Sequence, residues 1–144
     1  MDSTALIPVQ YGLDTFYFVI CGALVMWMAA GFAMLEAGLV RAKNTAEILT
    51  KNIVLYALAC VMYLLLGYHL MYGGSAGGVL PSFGMLIGAE HAVDGVAAGG
   101  EGAAAFSRRA DFFFQVVFVA TCMSIDSGAV AERMKLWAFL AFAL

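Results

Sequence analysis

Three long apolar stretches constrain the fold of this chain more than any other feature of its sequence. They cover residues 16–38, 53–72 and 112–131. A helix rises about 1.5 Å per residue, so a stretch of about 20 residues is long enough to cross the hydrocarbon core of a bilayer. The sequence is also 64% hydrophobic and only 12% charged, which is about half the charged fraction of a typical soluble domain. We therefore predict an all-α integral membrane protein in a lipid membrane.

The segments that follow the second and third stretches differ from each other. Residues 73–110 are rich in glycine and show no helical period, which predicts a long surface loop with one short helix or re-entrant piece. Residues 136–144 are apolar but only half as long as a span. The sequence therefore looks cut off at the start of a fourth helix. A complete three-helix protein with a short apolar tail is the alternative.

The positions of the basic residues predict how the chain is oriented. Arg41, Lys43 and Lys51 follow the first stretch, and Arg133 and Lys135 follow the third, so all five lie on one side of the membrane. Loops with an excess of lysine and arginine are usually cytoplasmic. We therefore predict a multi-pass protein of the inner (plasma) membrane, with its amino terminus and residues 73–110 outside.

The third stretch carries polar residues that a plain membrane anchor would lack. On a helical wheel, Gln115, Phe118, Cys122 and Asp126 fall within an arc of roughly 140°. A different side carries small residues at the spacing that lets helix backbones approach closely, namely Ala120, Ser124, Gly128 and Ala131, with Ser127 beside them. This pattern indicates one face for packing and one for a path. The alternative is a helix buried all round, with its polar groups hydrogen-bonded to neighbours.

Other polar residues lie near the ends of the first two stretches. Asp14 and Thr15 precede the first stretch and are predicted to cap its helix. Glu36, at its far end, is predicted to bond to backbone or to a polar neighbour in the next loop, or else to lie at the headgroup level. The residues predicted to form an interfacial aromatic belt at the end of the second stretch are Tyr63, Tyr68 and Tyr72.

Several classes of function lack support in the sequence. It has no phosphate-binding glycine motif, and its net charge of −3 gives no reason to expect nucleic-acid binding. Histidine, cysteine and carboxylate residues show no metal-ligand spacing. A membrane-embedded enzyme that uses Asp126 or Glu36 ranks low, because no paired carboxylates and no nucleophile–base constellation accompany them. We predict no enzymatic activity, no metal and no cofactor.

Four segments together are specific enough to suggest a family. Ala30–Asn44 reads AGFAMLEAGLVRAKN, Lys51-Asn52 follows, and the third stretch contains Gln115–Phe118 and Ser127–Arg133. Over roughly residues 11–144 the chain resembles the ammonium transporter family (Amt/MEP/Rh), and most closely its bacterial Amt branch. The resemblance implies about eleven membrane helices in two inverted halves, and a homotrimer in which each subunit has its own pore. This chain would be helices one to three and the start of the fourth.

The resemblance also implies roles for individual residues. Phe118 corresponds to one of two stacked phenylalanines that gate the outer mouth, where an aromatic face attracts an ammonium ion by cation–π contact. From the helical wheel, and not from the resemblance, Gln115 and Asp126 are candidates for facing the pore. Structural polar roles are predicted for Glu36, Asn44, Glu132 and Arg133. The family's pore histidines would lie beyond residue 144.

Asp126 departs from the family pattern, which usually has an apolar residue at this position. Three interpretations are open: a pore-lining carboxylate, a buried protonated acid bonded to Ser127 or another neighbour, or an engineered or erroneous residue. We favour the second, because burial favours the neutral form of a carboxyl group.

The predicted function is transport of ammonium or ammonia through a gated hydrophobic pore. The alternative is an ammonium-sensing membrane module joined to a cytoplasmic signalling domain. The resemblance further implies a P-II-type regulatory protein as a partner at the cytoplasmic face. We expect that the chain does not conduct by itself.

Overall fold

The computed structural model of the chain describes residues 3–73, 75–76, 80–81, 84, 86–88 and 106–143. The helices in this part of the chain are α1 (Ser3–Leu39), α2 (Thr45–Met62), α3 (Tyr68–Tyr72), α4 (Arg108–Ala129) and α5 (Leu136–Phe142). A 3-10 turn, Ala42–Asn44, precedes α2, and a π-helical segment, Tyr63–Gly67, joins α2 to α3. Two short antiparallel strands, β1 (Ser75–Ala76) and β2 (Leu80–Pro81), follow α3.

Three helical segments are long and apolar enough to cross a membrane. Within the described residues they are Leu6–Leu39, Ala42–Tyr72 and Arg108–Ala129. The chain is thus a multi-pass membrane protein, and the predicted all-α membrane class is confirmed apart from the pair of two-residue strands. Most of the predicted loop 73–110 lies outside the described residues.

The first two helices begin earlier than the apolar stretches do. Helix α1 starts at Ser3, so Asp14 lies inside it, and the prediction that Asp14 and Thr15 cap this helix is wrong. The hydroxyl of Thr15 instead accepts a hydrogen bond from the backbone N–H of Ser107, at 3.0 Å, next to the start of α4. Helix α2 starts at Thr45 and includes Lys51 and Asn52, both of which are buried.

Helix α4 packs against both α1 and α2. Its small-residue face is the buried one, because Ala120, Ser124 and Ser127 are all almost fully enclosed. This agrees with the packing face predicted from the helical wheel. The exception is Ala131, which lies beyond the end of α4 at Ala129. Close approach to α1 depends on Gly22, where a Cβ atom would lie 2.7 Å from Cε1 of Phe113.

The core between α4 and the second membrane helix is aromatic. Tyr63 and Tyr68 are buried there with Val116 and Val117 of α4, and the ring of Phe112 stacks on Tyr63 with 5.7 Å between centroids. The prediction of an interfacial belt is therefore wrong for Tyr63 and Tyr68. Their rings fill space between helices rather than facing the lipid boundary.

Candidate functional site

A buried carboxylate joins the three membrane helices near one end of the bundle. Glu36 of α1 is 5% exposed. Its Oε2 accepts hydrogen bonds from Nδ2 of Asn52 at 2.8 Å and from Oγ of Ser127 at 3.1 Å. Ser124 also bonds to Asn52, through Oδ1 of the amide. Glu36 therefore bonds to polar neighbours on the second and third membrane helices, and the interpretation that places it at the headgroup level is wrong.

The other oxygen of this carboxylate is left without a hydrogen bond. Oε1 of Glu36 is buried and has no partner among the described residues. It faces Gly128, where a Cβ atom would lie only 3.3 Å away. The hydrogen of this glycine thus leaves room for the carboxylate between α1 and α4.

A second carboxylate holds the loop after α1 against the end of α4. Glu132 accepts hydrogen bonds from the backbone N–H of Arg41 at 3.1 Å, from the Arg41 guanidinium at 3.1 Å and from the amide of Asn44 at 2.7 Å. The Arg41 backbone N–H and guanidinium lower the pKa of Glu132 to about 2. Its backbone has a φ of 59°, in the left-handed region that non-glycine residues rarely adopt.

Arg133, the next residue, makes no comparable side-chain contact in the described part of the chain. Its backbone N–H donates to the carbonyl of Val130 at 3.1 Å, which helps to close the turn after α4. Its side chain is exposed. The structure therefore brings together Glu132 and Asn44, two of the predicted structural residues, but does not join Arg133 to them.

Polar contacts at the opposite end of α4 involve its first two turns. Asp111 is buried and accepts hydrogen bonds from the hydroxyls of Tyr68 and Tyr72, each at 3.2 Å. Gln115 donates from Nε2 to the hydroxyl of Tyr72 at 3.0 Å. The side chain of Gln115 is thus held by a chain of hydrogen bonds that ends on Asp111.

Phe118 is the last ring in a ladder of phenylalanines that crosses from α1 to α4. Phe106 packs on Phe18 with centroids 4.4 Å apart, Phe18 on Phe114 at 5.3 Å, and Phe114 on Phe118 at 4.9 Å. The last two contacts have edge-to-face geometry, which aromatic rings favour. Phe118 itself is 42% exposed, so this ring has an open surface.

Asp126 lies on the side of α4 that is not fully packed. It is half-buried and borders a cleft with Phe139 and Phe142 of α5. Within the described residues its carboxylate makes no hydrogen bond, and the hydroxyl of Ser127 is directed to Glu36 instead. The favoured interpretation, an acid bonded to Ser127 or another neighbour, is therefore wrong for Ser127, and no other described residue bonds to this carboxylate.

The sequence profile of the Ammonium Transporter Family matches residues 16–144. The chain belongs to this family. The match covers α1 from Phe16 onward, the second and third membrane helices, and all of α5. It therefore includes every residue of the Glu36 and Glu132 contacts and of the phenylalanine ladder.

Relatives within the ammonium transporter family match most of this chain. It is 37% identical to the ammonium transporter Amt2 of Archaeoglobus fulgidus over 90% of its length and 25% of that protein. It is 38% identical to a putative ammonium transporter of Synechocystis over 98% of its length and 30% of that protein. The corresponding values for ammonium transporter 3 of Dictyostelium discoideum are 33%, 99% and 30%. The chain thus spans between a quarter and a third of these relatives, and its place in the bacterial branch stays a prediction.

Some contacts in this member of the ammonium transporter family could not be predicted from its sequence. Asn52 lies in a segment that carries the family resemblance, but nothing in the spacing of 16 residues indicates that it bonds to Glu36. Asp111 marks the start of the third apolar stretch, and its tyrosine partners lie about 40 residues earlier. No pattern within a single helix identifies such partners.

Proposed function

We propose that this chain forms the first membrane helices of an ammonium transport subunit. In this proposal the open face of α4 lines the path of ammonium or ammonia, with Phe118 at the outer gate and Gln115 beside it. Further helices complete the pore. The subunit would assemble as a homotrimer in the inner membrane, with the amino terminus outside.

One observation carries the proposal, namely the exposed ring of Phe118 at the end of an otherwise packed ladder. Phe114 holds the Phe118 ring from one side at 4.9 Å, so the open surface has a fixed direction. The face of an aromatic ring attracts a cation, and the attraction is worth about 0.5–2 kcal/mol, depending on how far the cation is desolvated. Such a ring can attract an ammonium ion and also narrow the way into an apolar pore.

The hydrogen-bonded chain from Asp111 to Gln115 supports the same arrangement. Tyr72 accepts from Gln115 while it donates to Asp111, so the amide of Gln115 has a fixed position one helical turn before Phe118. In this proposal Gln115 offers a polar group at the entrance. Asp126 would face the inner part of the path, because its carboxylate has no hydrogen bond in the described part of the chain.

Two further proposals concern the opposite face of the membrane. The turn after α4, held by Glu132, would lie on the cytoplasmic side together with Arg41 and Asn44. A P-II-type regulatory protein would bind at this face. A transport function also implies no chemical conversion of ammonium, so we propose no enzymatic role for Glu36 or Asp126.

A chimeric transporter tests the main proposal. This chain would replace the aligned part of the Amt2 protein of Archaeoglobus fulgidus, and uptake of labelled methylammonium would be measured in cells that lack ammonium transporters. We expect uptake above the empty-vector level. We also expect Phe118→Ala to lower it by roughly 2- to 30-fold, which corresponds to the loss of one cation–π contact.

The matched control is Phe16→Ala, which removes an exposed phenylalanine of α1 that is not part of the ladder. It should leave uptake unchanged. Membrane fractionation and size-exclusion chromatography would verify that each chimera is inserted and folded. A folded chimera without uptake, or equal effects of the two substitutions, would contradict the proposal.

A further inference from the structure

Lys51 is a buried residue whose amine has no hydrogen-bond acceptor among the described residues. Lys51 lies in the second turn of α2 and is only 3% exposed. Its Nζ lies 4.2 Å from the centroid of the Phe139 ring. In the part of the chain that the structure describes, the amine makes neither a hydrogen bond nor an ion pair, so its contact with the ring leaves its hydrogen-bonding capacity unused.

A cavity of about 240 Å³ adjoins this lysine. Arg133 and Lys135, from the segment between α4 and α5, also border it. Two carboxylates, those of Glu47 and Glu132, lie at its wall, but Glu132 is already bound to Arg41 and Asn44. The cavity wall therefore carries three basic side chains and one carboxylate, that of Glu47, which has no hydrogen-bond partner among the described residues.

The position and size of the cavity limit what it can hold. It lies where α2 begins and α4 ends, at the boundary of two membrane spans. Phospholipid phosphates lie at this depth, and basic residues at such a boundary attract anionic lipids. The volume is below the 300–1,000 Å³ that is typical of pockets for drug-sized ligands, so a nucleotide is too large and a single phosphate group is a suitable size.

We propose that the cavity binds a phosphate group, with Lys51 as its principal donor and Arg133 and Lys135 at its rim. A phosphate oxygen would accept a hydrogen bond from the amine of Lys51, for which the described residues offer no acceptor. The group can come from an anionic phospholipid or from free phosphate. This proposal does not depend on ammonium transport, because none of these residues belongs to the phenylalanine ladder or to the open face of α4.

The test uses the whole chain, purified in an uncharged detergent. In one arm, inorganic phosphate is titrated at constant ionic strength and the heat of binding is measured. In the other arm, phosphatidylglycerol is added and the bound lipid is counted by native mass spectrometry, with dioleoylglycerol as the control lipid that lacks phosphate. Binding in the first arm identifies free phosphate as sufficient, and binding in the second arm alone identifies the lipid as the source.

Substitutions decide whether the cavity is responsible. Lys51→Met keeps an apolar chain over Phe139 but removes the amine, so we expect at least a tenfold loss of affinity. The control Lys43→Met removes an exposed basic residue from the preceding turn, outside the cavity, and should bind as the original chain does. If Lys51→Met does not fold, Arg133→Gln and Lys135→Gln replace it in the test, because both change exposed residues. Each should then bind the phosphate group more weakly than the original chain does.

Three results would overturn the proposal. The first is that neither inorganic phosphate nor phosphatidylglycerol binds, which would mean that water alone fills the cavity. The second is that phosphatidylglycerol and dioleoylglycerol bind equally. The third is that binding is unchanged in Lys51→Met, or in both rim variants when Lys51→Met does not fold.

Discussion

The side-chain amide of Asn52 donates a hydrogen bond to Oε2 of Glu36 at 2.8 Å, across the interface between α1 and α2. The same nitrogen also donates to the carbonyl of Ile48, while the amide oxygen accepts from Ser124 of α4. One amide thus serves as donor toward α1 and as acceptor from α4. An ionised aspartate at this site could not donate, and a leucine could neither donate nor accept.

Replacing Asn52 with leucine should destabilise the helix bundle. The substitution keeps the number and branching of the side-chain heavy atoms but leaves the buried carboxylate of Glu36 and the hydroxyl of Ser124 without this partner. We expect a loss of about 1–3 kcal/mol in the free energy of unfolding. Equilibrium unfolding in mixed micelles, followed by circular dichroism, would measure it.

Thr50→Val is the control for this change. The Thr50 hydroxyl is on the same helix, and within the described residues it bonds only to the carbonyl of Ala46 one turn earlier. Its loss should change the stability by no more than about 0.5 kcal/mol. Equal effects of the two substitutions would mean that Asn52 does not link the helices.

Two glycines of α1 should respond in opposite directions to the same substitution. In Gly22→Ala the new Cβ atom would lie 2.7 Å from the ring of Phe113, so α1 and α4 must separate or the ring must move. We expect destabilisation of about 1–3 kcal/mol. In Gly31→Ala no described atom lies within 4 Å of the new Cβ atom. The higher helix propensity of alanine should therefore stabilise the chain by up to about 1 kcal/mol. The same unfolding experiment compares them, and a loss of stability in both would refute this account of the interface.

The stability of the chain should depend on pH through Glu132. The Arg41 backbone N–H and guanidinium lower the pKa of this carboxyl from 4.5 to about 2. A group whose pKa is lower in the folded state stabilises the fold above its unfolded pKa, and this contribution is lost as the pH falls toward the folded value. The chain should therefore become easier to unfold as the pH is lowered from 5 to about 2. The substitution Glu132→Gln should reduce this pH dependence.

Glu47→Gln is the control for the pH experiment. The Glu47 side chain is exposed and makes no hydrogen bond within the described residues. This variant should keep the pH dependence of the original chain. If Glu132→Gln keeps it as well, then the contact between Glu132 and Arg41 does not contribute to stability in this range.

Asp126→Val should not destabilise the chain. The carboxylate of Asp126 has no hydrogen bond to lose in the described part of the chain, and an apolar side chain is more favourable at membrane depth. The unfolding free energy should stay the same or rise. In the chimeric transporter, a changed methylammonium uptake would support a pore-facing Asp126, whereas unchanged uptake would remove that role. A clear loss of stability would instead indicate a partner that the described residues lack.

The sequence predicts the membrane helices well because their signals are local. Length and apolar content identify each span, and the spacing of Ala120 and Ser124 identifies the face of α4 that packs. The same signals do not predict where α2 begins, because Lys51 and Asn52 are polar by type but buried by their partners. Contacts with α1, α4 and α5, which are distant in sequence, account for their burial.

The contacts of the candidate site were harder to predict, for a physical reason. Glu36 and Ser127 are 91 residues apart, as are Arg41 and Glu132. A carboxylate at a membrane boundary is compatible with lipid headgroups, water or a buried partner, and local sequence does not distinguish among them. For Asp126 the same ambiguity favoured Ser127 as a partner, whereas in the structure this hydroxyl bonds to Glu36.

The bond between Glu36 and Asn52 also bears on the order in which the chain enters a membrane during synthesis. When α1 leaves the ribosome, the carboxyl group of Glu36 has no protein partner, and burial of such a group in lipid is costly. Asn52 follows only 16 residues later, whereas Ser127 is made much later. We therefore expect α1 and α2 to insert together as a helical hairpin, with Glu36 near the membrane surface until Asn52 arrives.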